Sequence, residues 1–311
     1  MQNDIIINDL HKNYSGEHAL AGVSLSVPRG SLYGLIGADG AGKSTLLRIC
    51  TTLIAADKGT ALVCGFDAAS DFQKIRNQIG YMPQKFSLYQ DLSVRENMQF
   101  FADLFGVKPG ERDERMKRLL EFSRLAPFVD RRARNLSGGM KQKLALSCTL
   151  IHTPKVLFLD EPTTGVDPVS RKEFWAILKD LRNQGITIVI STPYMDEAHL
   201  CDELLFLHRG KVVRQGNPGT LLAAYPYRIY RISSSCSTLT VPRGVSLPHG
   251  VALLYPEGGS IHAAISDRSV RDYGILSLVR PLLPHAESVV QVGPKIEDLF
   301  IHLLSQEENA Q

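Results

Sequence analysis

Gly37-Ala38-Asp39-Gly40-Ala41-Gly42-Lys43-Ser44-Thr45 is the stretch that decides how this chain is read. Gly37, Gly42, Lys43 and Ser44 satisfy the pattern G-x-x-x-x-G-K-[ST], which carries weight only between a strand and a helix. Both flanks are present. Leu32-Tyr33-Gly34-Leu35-Ile36 is an apolar run fit for a buried strand, and Leu46, Leu47, Ile49 and Cys50 continue as one side of a helix. The glycines permit backbone angles that a Cβ forbids, so successive N–H groups can converge on an anion. A helix starting near Lys43 adds its unpaired N–H groups and the positive end of its dipole. Lys43 is placed to reach β- and γ-phosphates, and the Ser44 hydroxyl to bind Mg²⁺. An ordinary Gly-rich turn is the bland alternative, and Lys43 and Ser44 in register speak against it. The stretch reads as a nucleoside-triphosphate cradle.

The rest of the chain sets limits around that cradle. Its 311 residues allow one large domain and a smaller one. With 44% hydrophobic and 22% charged residues the composition is that of a soluble globular protein. A net charge of +3 gives no argument for nucleic acid or an anionic membrane surface as partner. Cys50, Cys64, Cys148, Cys201 and Cys236 are scattered without a C-x-x-C pair, which suits reduced thiols rather than a disulfide framework or a zinc site. No signal peptide is visible at the N-terminus, and no run approaches the ~18 apolar residues that span a bilayer. A membrane role would therefore need another chain to cross the membrane.

Outward from the cradle, Ile5-Ile6-Ile7 and the alternation Val23, Leu25, Val27 predict two strands joined by a polar turn. Tyr14 lies between them, as a candidate to stack on a purine or as a half-buried rim residue. Thr60–Cys64 and Ile79–Met82 predict further strands. From Ser93 to Ile151 the spacing turns helical: Val94, Met98, Phe101, Ala102 and Phe105 share one face, and Met116, Leu119, Leu120 and Ser123 share another. Within this segment Leu136-Ser137-Gly138-Gly139-Met140 precedes a helix through Leu144, Ala145, Cys148 and Leu150. Ser137 is its expected N-cap, and taken alone the motif is best read as capping only.

Val156-Leu157-Phe158-Leu159 is a fully apolar strand that ends in Asp160-Glu161-Pro162. Two carboxylates at the end of a buried strand beside a phosphate loop have a defined use. Asp160 can hold the Mg²⁺ shell, and Glu161 can orient or deprotonate the attacking water. Ser170–Gln184 predicts an amphipathic helix stopped by Gly185. Ile186–Ile190 and a hairpin around Arg209-Gly210-Lys211 complete a mainly parallel sheet with its ligand at the strands' carboxyl ends. Asn217-Pro218-Gly219 marks a boundary. Beyond it, Arg228–Ile232, Val251–Tyr255, Ile261–Ile265 and an amphipathic segment through Ile296, Leu299, Phe300 and Leu303 predict a small α+β appendage, with a disordered tail after Gln306.

Together these motifs resemble the ATP-binding subunits of ABC transporters over roughly residues 4–216. The Walker A loop corresponds to Gly37–Thr45, the Walker B carboxylates to Asp160 and Glu161, and the signature sequence to Leu136–Met140. The Q-loop glutamine matches Gln84 and the D-loop matches Gly165-Val166-Asp167-Pro168. The wording around Asp160–Pro168 is most similar to ABC-2 type drug or polysaccharide exporters. The resemblance implies an α/β P-loop NTPase core over 1–217 with a helical subdomain at about 85–151, and an accessory domain over 218–311. It implies ATP held by Tyr14, Gly37, Asp39, Gly40, Ala41, Gly42, Lys43, Ser44 and Thr45, with Ser137, Gly138 and Gly139 reaching the nucleotide of a partner. Mg²⁺ would sit at Ser44, Gln84 and Asp160, and hydrolysis would use Glu161, Lys43 and Gln84. The implied partners are an ABC-2 type membrane permease and a second ATP-binding subunit, identical or different, with no nucleic acid. The implied location is the cytoplasmic face of the plasma membrane.

Two positions depart from the family pattern. Pro193 stands after Ser191-Thr192 where the family usually has a histidine that contacts the γ-phosphate and attacking water. Proline has neither a side-chain donor nor a backbone N–H. Either Glu161 sustains turnover without the imidazole or the site is slow; His199 is a conceivable substitute, though its polar neighbours suit a solvated helix face. Asp39, where the family commonly has Asn, is a milder change. The rival readings are a soluble ABC ATPase and an ATP-gated clamp that barely hydrolyses.

Overall fold

The computed structural model describes residues 2–85, 88–235, 239–241, 246–266 and 272–309. It divides into two compact units, Met1–Pro218 and Gly219–Gln311.

In the first unit the chain opens as a long antiparallel hairpin, β1 (Asn3–Tyr14) and β2 (Glu17–Pro28), with Ile7 opposite Leu25 and Tyr14 opposite Glu17. Its period-two pattern buries Ile5, Ile7, Val23, Leu25 and Val27. β3 (Leu32–Ile36) is buried along its whole length and leads through the phosphate loop into α1 (Lys43–Cys50). After α1 come β4 (Lys58–Val63), β5 (Phe66–Asp67), α2 (Phe72–Arg76) and β6 (Ile79–Met82). A helical segment follows, with α3 (Val94–Leu104), α4 (Pro109–Phe122) and α5 (Gly138–Leu150). Ser93 starts α3 with a capping box, its hydroxyl accepting from Glu96 N–H while the Glu96 carboxylate accepts from Ser93 N–H. The unit closes with β7 (Val156–Asp160), α6 (Pro168–Asn183), β8 (Thr187–Thr192), β9 (Glu203–His208) and β10 (Lys211–Gly216).

These strands form two sheets. The main one has the order β10-β9-β3-β8-β7-β6, parallel except for the β9–β10 hairpin. The other, β2-β1-β4-β5, is antiparallel and pairs Ile5 with Val63. Of its strands, β1, β2 and β4 are expected from the sequence, though not as a sheet separate from the parallel one, and the two-residue β5 is not. Leu46, Leu47 and Cys50 of α1 join Ile5, Ile7 and Val27 of one sheet and Phe158 and Val189 of the other in one core. Because β3, β7 and β8 are parallel neighbours, the phosphate loop, Asp160-Glu161 and Thr192-Pro193 all emerge at one edge of the sheet.

The helices form a core of their own around Met98, Met116, Leu120, Leu144 and Cys148. Phe105 does not belong to it: it is exposed and stacks on His152 at 3.9 Å between centroids, because α3 ends at Leu104 and the chain turns away. α6 starts two residues before the predicted Ser170. The Asp167 carboxylate accepts from the N–H groups of Val169 and Ser170, and Pro168 sits at the first helical position, a standard cap-and-proline start. Gly185, at φ +91°, stops it as expected.

The second unit begins within α7 (Pro218–Ala223) and carries β11 (Arg228–Ser233), β12 (Val251–Glu257), β13 (Ser260–Ile265), α8 (Asp272–Val279), β14 (Ser288–Val292) and α9 (Ile296–Asn309). Its antiparallel sheet has the order β12-β13-β11-β14. α8 and β14 were not foreseen: β14 is a half-exposed edge strand and α8 is short, so neither carries a long periodic signal. Helix α9 runs to Asn309, past the tail expected after Gln306, since Ser305-Gln306-Glu307-Glu308 contains no helix breaker. Cys50, Cys64, Cys148 and Cys201 are unpaired, and Cys236 lies outside the described residues.

Candidate functional site

The phosphate loop is fixed by close backbone approach. A Cβ on Gly37 would stand 2.3 Å from the Leu207 carbonyl oxygen, and one on Gly42 would stand 2.3 Å from that of Ala19. Gly42 also sits at φ 107° as the N-cap of α1, so the first N–H groups of that helix face the loop without a side-chain cap. A cavity of about 250 Å³ opens there, lined by Ala19, Asp39, Gly40, Ala41, Gly42, Lys43, Ser44, Thr45, Gln84 and Glu161.

Around this cavity the predicted chemical residues meet. Buried Lys43 donates from Nζ to the carbonyls of Gly37 at 2.7 Å and Ala38 at 3.1 Å, and lies 3.5 Å from Glu161 Oε1. Ser44 Oγ donates to Asp160 Oδ1 at 2.9 Å. Gln84 Nε2 donates to Glu161 Oε2 at 2.8 Å, so it meets the second carboxylate of the pair directly. Asp160 Oδ2 is buried with no hydrogen-bond partner among the described residues. Glu161 adopts φ 48°, a left-handed conformation uncommon outside glycine. Burial, and behind it the Asp160 carboxylate, push the nearby Tyr81 phenol above its ordinary pKa.

Ser191 was missed by the sequence reading. Its hydroxyl donates to Asp160 Oδ1 at 2.7 Å and accepts from the Glu161 N–H at 3.0 Å. The cause is the register of β7 against β8, which sets Asp160 opposite Ser191. Pairing between strands remote in sequence was the missing signal.

Other predicted residues stand apart from the cavity. Tyr14 is 45% exposed at the tip of the β1–β2 hairpin, with Lys12 Nζ 5.7 Å from its ring centroid. Ser137 caps α5 by accepting from Met140 N–H at 3.3 Å. It and Gly138 are exposed, and Gly139 is buried against α6, where an added Cβ would lie 2.4 Å from Ser170. None of these four lines the cavity of its own chain. His199 is exposed on the 3-10 turn Met195–Leu200, as its polar neighbours suggested. A larger cavity of about 440 Å³ beside Arg115, Leu119 and Phe122 has no acidic residue and no Gly-rich loop in its lining.

Comparison with known proteins places this geometry among relatives. The family profile described as "ABC transporter" matches residues 20–164. The probable multidrug ABC transporter ATP-binding protein YbhF of Escherichia coli is 39% identical over 309 residues, covering 96% of this chain but 52% of the relative, so this chain spans about half its length. The daunorubicin resistance ATP-binding protein DrrA3 of Streptomyces coeruleorubidus is 32% identical over 307 residues, covering 96% of this chain and 95% of the relative. Among solved structures, the dimeric ABC transporter cassette MJ0796 superposes with a TM-score of 0.63 at 26% identity, covering 68% of this chain and 98% of that one.

Proposed function

The chain belongs to the ATP-binding proteins of the ABC transporter family, and from that premise we propose that it binds and hydrolyses ATP to drive an exporter. The observation that carries the reading is the convergence of Lys43, Ser44, Gln84 and Glu161 on one Gly-rich cavity at the carboxyl edge of a parallel sheet, with Asp160 hydrogen-bonded to Ser44 behind them. Inward-facing N–H groups and Lys43 suit the triphosphate. Glu161, anchored on one oxygen by Gln84 and near Lys43 on the other, is the group to orient the attacking water and accept its proton.

The residues also fit Mg²⁺. An unpartnered, buried Asp160 oxygen calls for a cation. The Ser44 hydroxyl already meets the same carboxylate, 2.9 Å from Asp160 Oδ1, so the two side chains offer oxygen ligands from one place, the type a hard cation takes. Ser44 and Asp160, with Gln84 beside them, would hold the ion, whose charge would offset that of the β- and γ-phosphates.

Two partners belong to the same proposal. No helix among the described residues is long and apolar enough to cross a membrane. An ABC-2 type permease would form the path. An exposed aromatic cluster on the helical segment suits its docking: Tyr89 packs edge-on against Phe100, with Leu104 64% exposed nearby in the same helix. That docking would place the chain at the cytoplasmic face of the membrane. Exposed Ser137 and Gly138, outside their own chain's cavity, are free to meet the nucleotide of a second ATP-binding subunit, an arrangement favoured by the likeness to a dimeric cassette.

The test is steady-state ATP hydrolysis by the full chain. Glu161→Gln is expected to lose ~10²–10⁴ in turnover while retaining ATP binding. A wild type that binds ATP without turnover, and gains turnover in Pro193→His, would replace this reading with an ATP-gated clamp, which the missing donor at Pro193 favours.

A further inference from the structure

Resting on the ATPase reading above, we infer that Glu197 is a positioning residue that locks the Thr192-Pro193 corner and the Glu161 turn into one rigid piece. Glu197 is 2% exposed, on the 3-10 turn that follows Pro193. Its Oε2 accepts from Thr192 Oγ1 at 2.6 Å and from Thr163 Oγ1 at 3.1 Å. Thr192 immediately precedes Pro193 and Thr163 lies in the turn that begins at Glu161, so one carboxylate oxygen ties the ends of two neighbouring parallel strands. Thr192 Oγ1 in turn accepts from the Tyr194 N–H at 3.1 Å, which closes the corner around the proline.

A buried carboxylate is costly unless it is compensated. Here Arg171 Nε stands 3.9 Å from Glu197 Oε1, and Arg171 is itself seated over the Tyr194 ring at 4.9 Å. Asp196, also near Arg171 at 3.6 Å, is exposed to water. Glu197 Oε1 has no hydrogen bond among the described residues, so the charge is held by Arg171 and the hydroxyls alone.

The consequence falls on Glu161. From one side Ser191 fixes its N–H, through the carbonyl at 3.1 Å and the hydroxyl at 3.0 Å. From the other side Glu197 fixes Thr163, and Thr164 Oγ1 reaches Glu161 Oε2 at 3.4 Å. Both struts are rooted in β8 and the turn after it. They hold Glu161 in its φ 48° conformation without help from an imidazole at position 193. Preorganisation of this kind lets one carboxylate stay aimed where a less constrained side chain would not.

Glu197→Ala in the full chain is expected to lower kcat for ATP hydrolysis about 100-fold with KM and ATP affinity unchanged, since displacing a catalytic group by ~1 Å costs about that much. Glu197→Gln, which keeps an acceptor for both hydroxyls, is expected to restore most of kcat. Thr163→Val removes one strut while leaving Glu197 and Arg171 in place, which guards against a variant that simply misfolds. It too is expected to lower kcat and not affinity. Hydrogen exchange is read in parallel, without need of turnover: in Glu197→Ala it is expected to quicken together at 161–166 and 191–194, and not at 37–45. Loss of ATP affinity with kcat per folded molecule intact, or quickened exchange confined to 195–200, would overturn the assignment. A wild type without hydrolysis but with the paired exchange response would sink the ATPase reading and leave the positioning role standing.

Discussion

Asp160 and Asp298 are both 1% exposed, and their surroundings are finished in opposite ways. Asp298 accepts from the Tyr255 hydroxyl, from His262 Nδ1 at 3.1 Å and from the Lys295 N–H at 2.5 Å, so both its oxygens are used. His262 Nε2 turns to Glu257, whose other oxygen meets Lys295 Nζ. The result ties the β12–β13 hairpin to the start of α9. Asp160 has two hydroxyls on one oxygen and no hydrogen-bond partner among the described residues on the other. An unsatisfied buried oxygen needs an explanation, and beside the phosphate loop a cation supplies it. Residue types alone would not separate the two: the carboxylate, base and hydroxyl cluster of the second unit is as rich in chemistry as the first.

Substituting the two aspartates in turn separates their roles. Asp160→Asn is expected to lower ATP turnover by ~10²–10³, the scale set by losing one preorganised electrostatic group, with the unfolding midpoint in urea unchanged or raised. Asp298→Ala is expected to do the reverse. It strands the Tyr255, His262 and Lys295 donors at about 1–3 kcal/mol each, so the second unit should lose about 3 kcal/mol or more while ATP turnover per folded chain stays the same. Chemical denaturation with turnover measured on the same preparations checks both.

Acid titration isolates Asp298. Burial works against the Asp298 carboxylate, but the His262, Tyr255 and Lys295 donors outweigh it and hold its pKa below the ordinary value. A depressed carboxyl stabilises fully above the unfolded value of about 3.9 and is lost as pH falls through the lower folded value. The urea midpoint read on the Tyr255 ring resonances should therefore be insensitive to this group from neutrality down to about pH 4 and fall below it. In Asp298→Asn that acid loss should disappear. The smallest expected effect is at Tyr14, where Ala should weaken ATP binding about 2- to 10-fold, the worth of one stacked aromatic, and Phe should not. Calorimetric titration in a Glu161→Gln background would read it.

Much of the nucleotide unit was legible because its determinants are local. The phosphate loop needs Gly37, Gly42, Lys43 and Ser44 within one turn, and Asp160-Glu161 simply ends an apolar strand. What stayed hidden depends on pairing across the chain. Ser191 matters because β8 lies against β7 in one register, and Glu197 because the turn after β8 folds back toward Thr163. The antiparallel sheet was unseparated for the same reason: β1 meets β4 only after the whole phosphate loop and α1 have intervened. In the second unit Tyr255 and His262 fall in predicted strands and Asp298 in a predicted amphipathic segment, while Glu257 and Lys295 lie outside any predicted element. Only the tertiary fold brings them together.

Hydrogen exchange of the Glu161→Gln chain with and without Mg-ATP decides between the two aspartates as the ligand-binding one. Slowed exchange at 37–45, 160–164 and 191–193, with 255–262 and 295–298 unchanged, is the predicted result. Protection absent from the phosphate loop, or centred on the His262–Asp298 cluster, would contradict it.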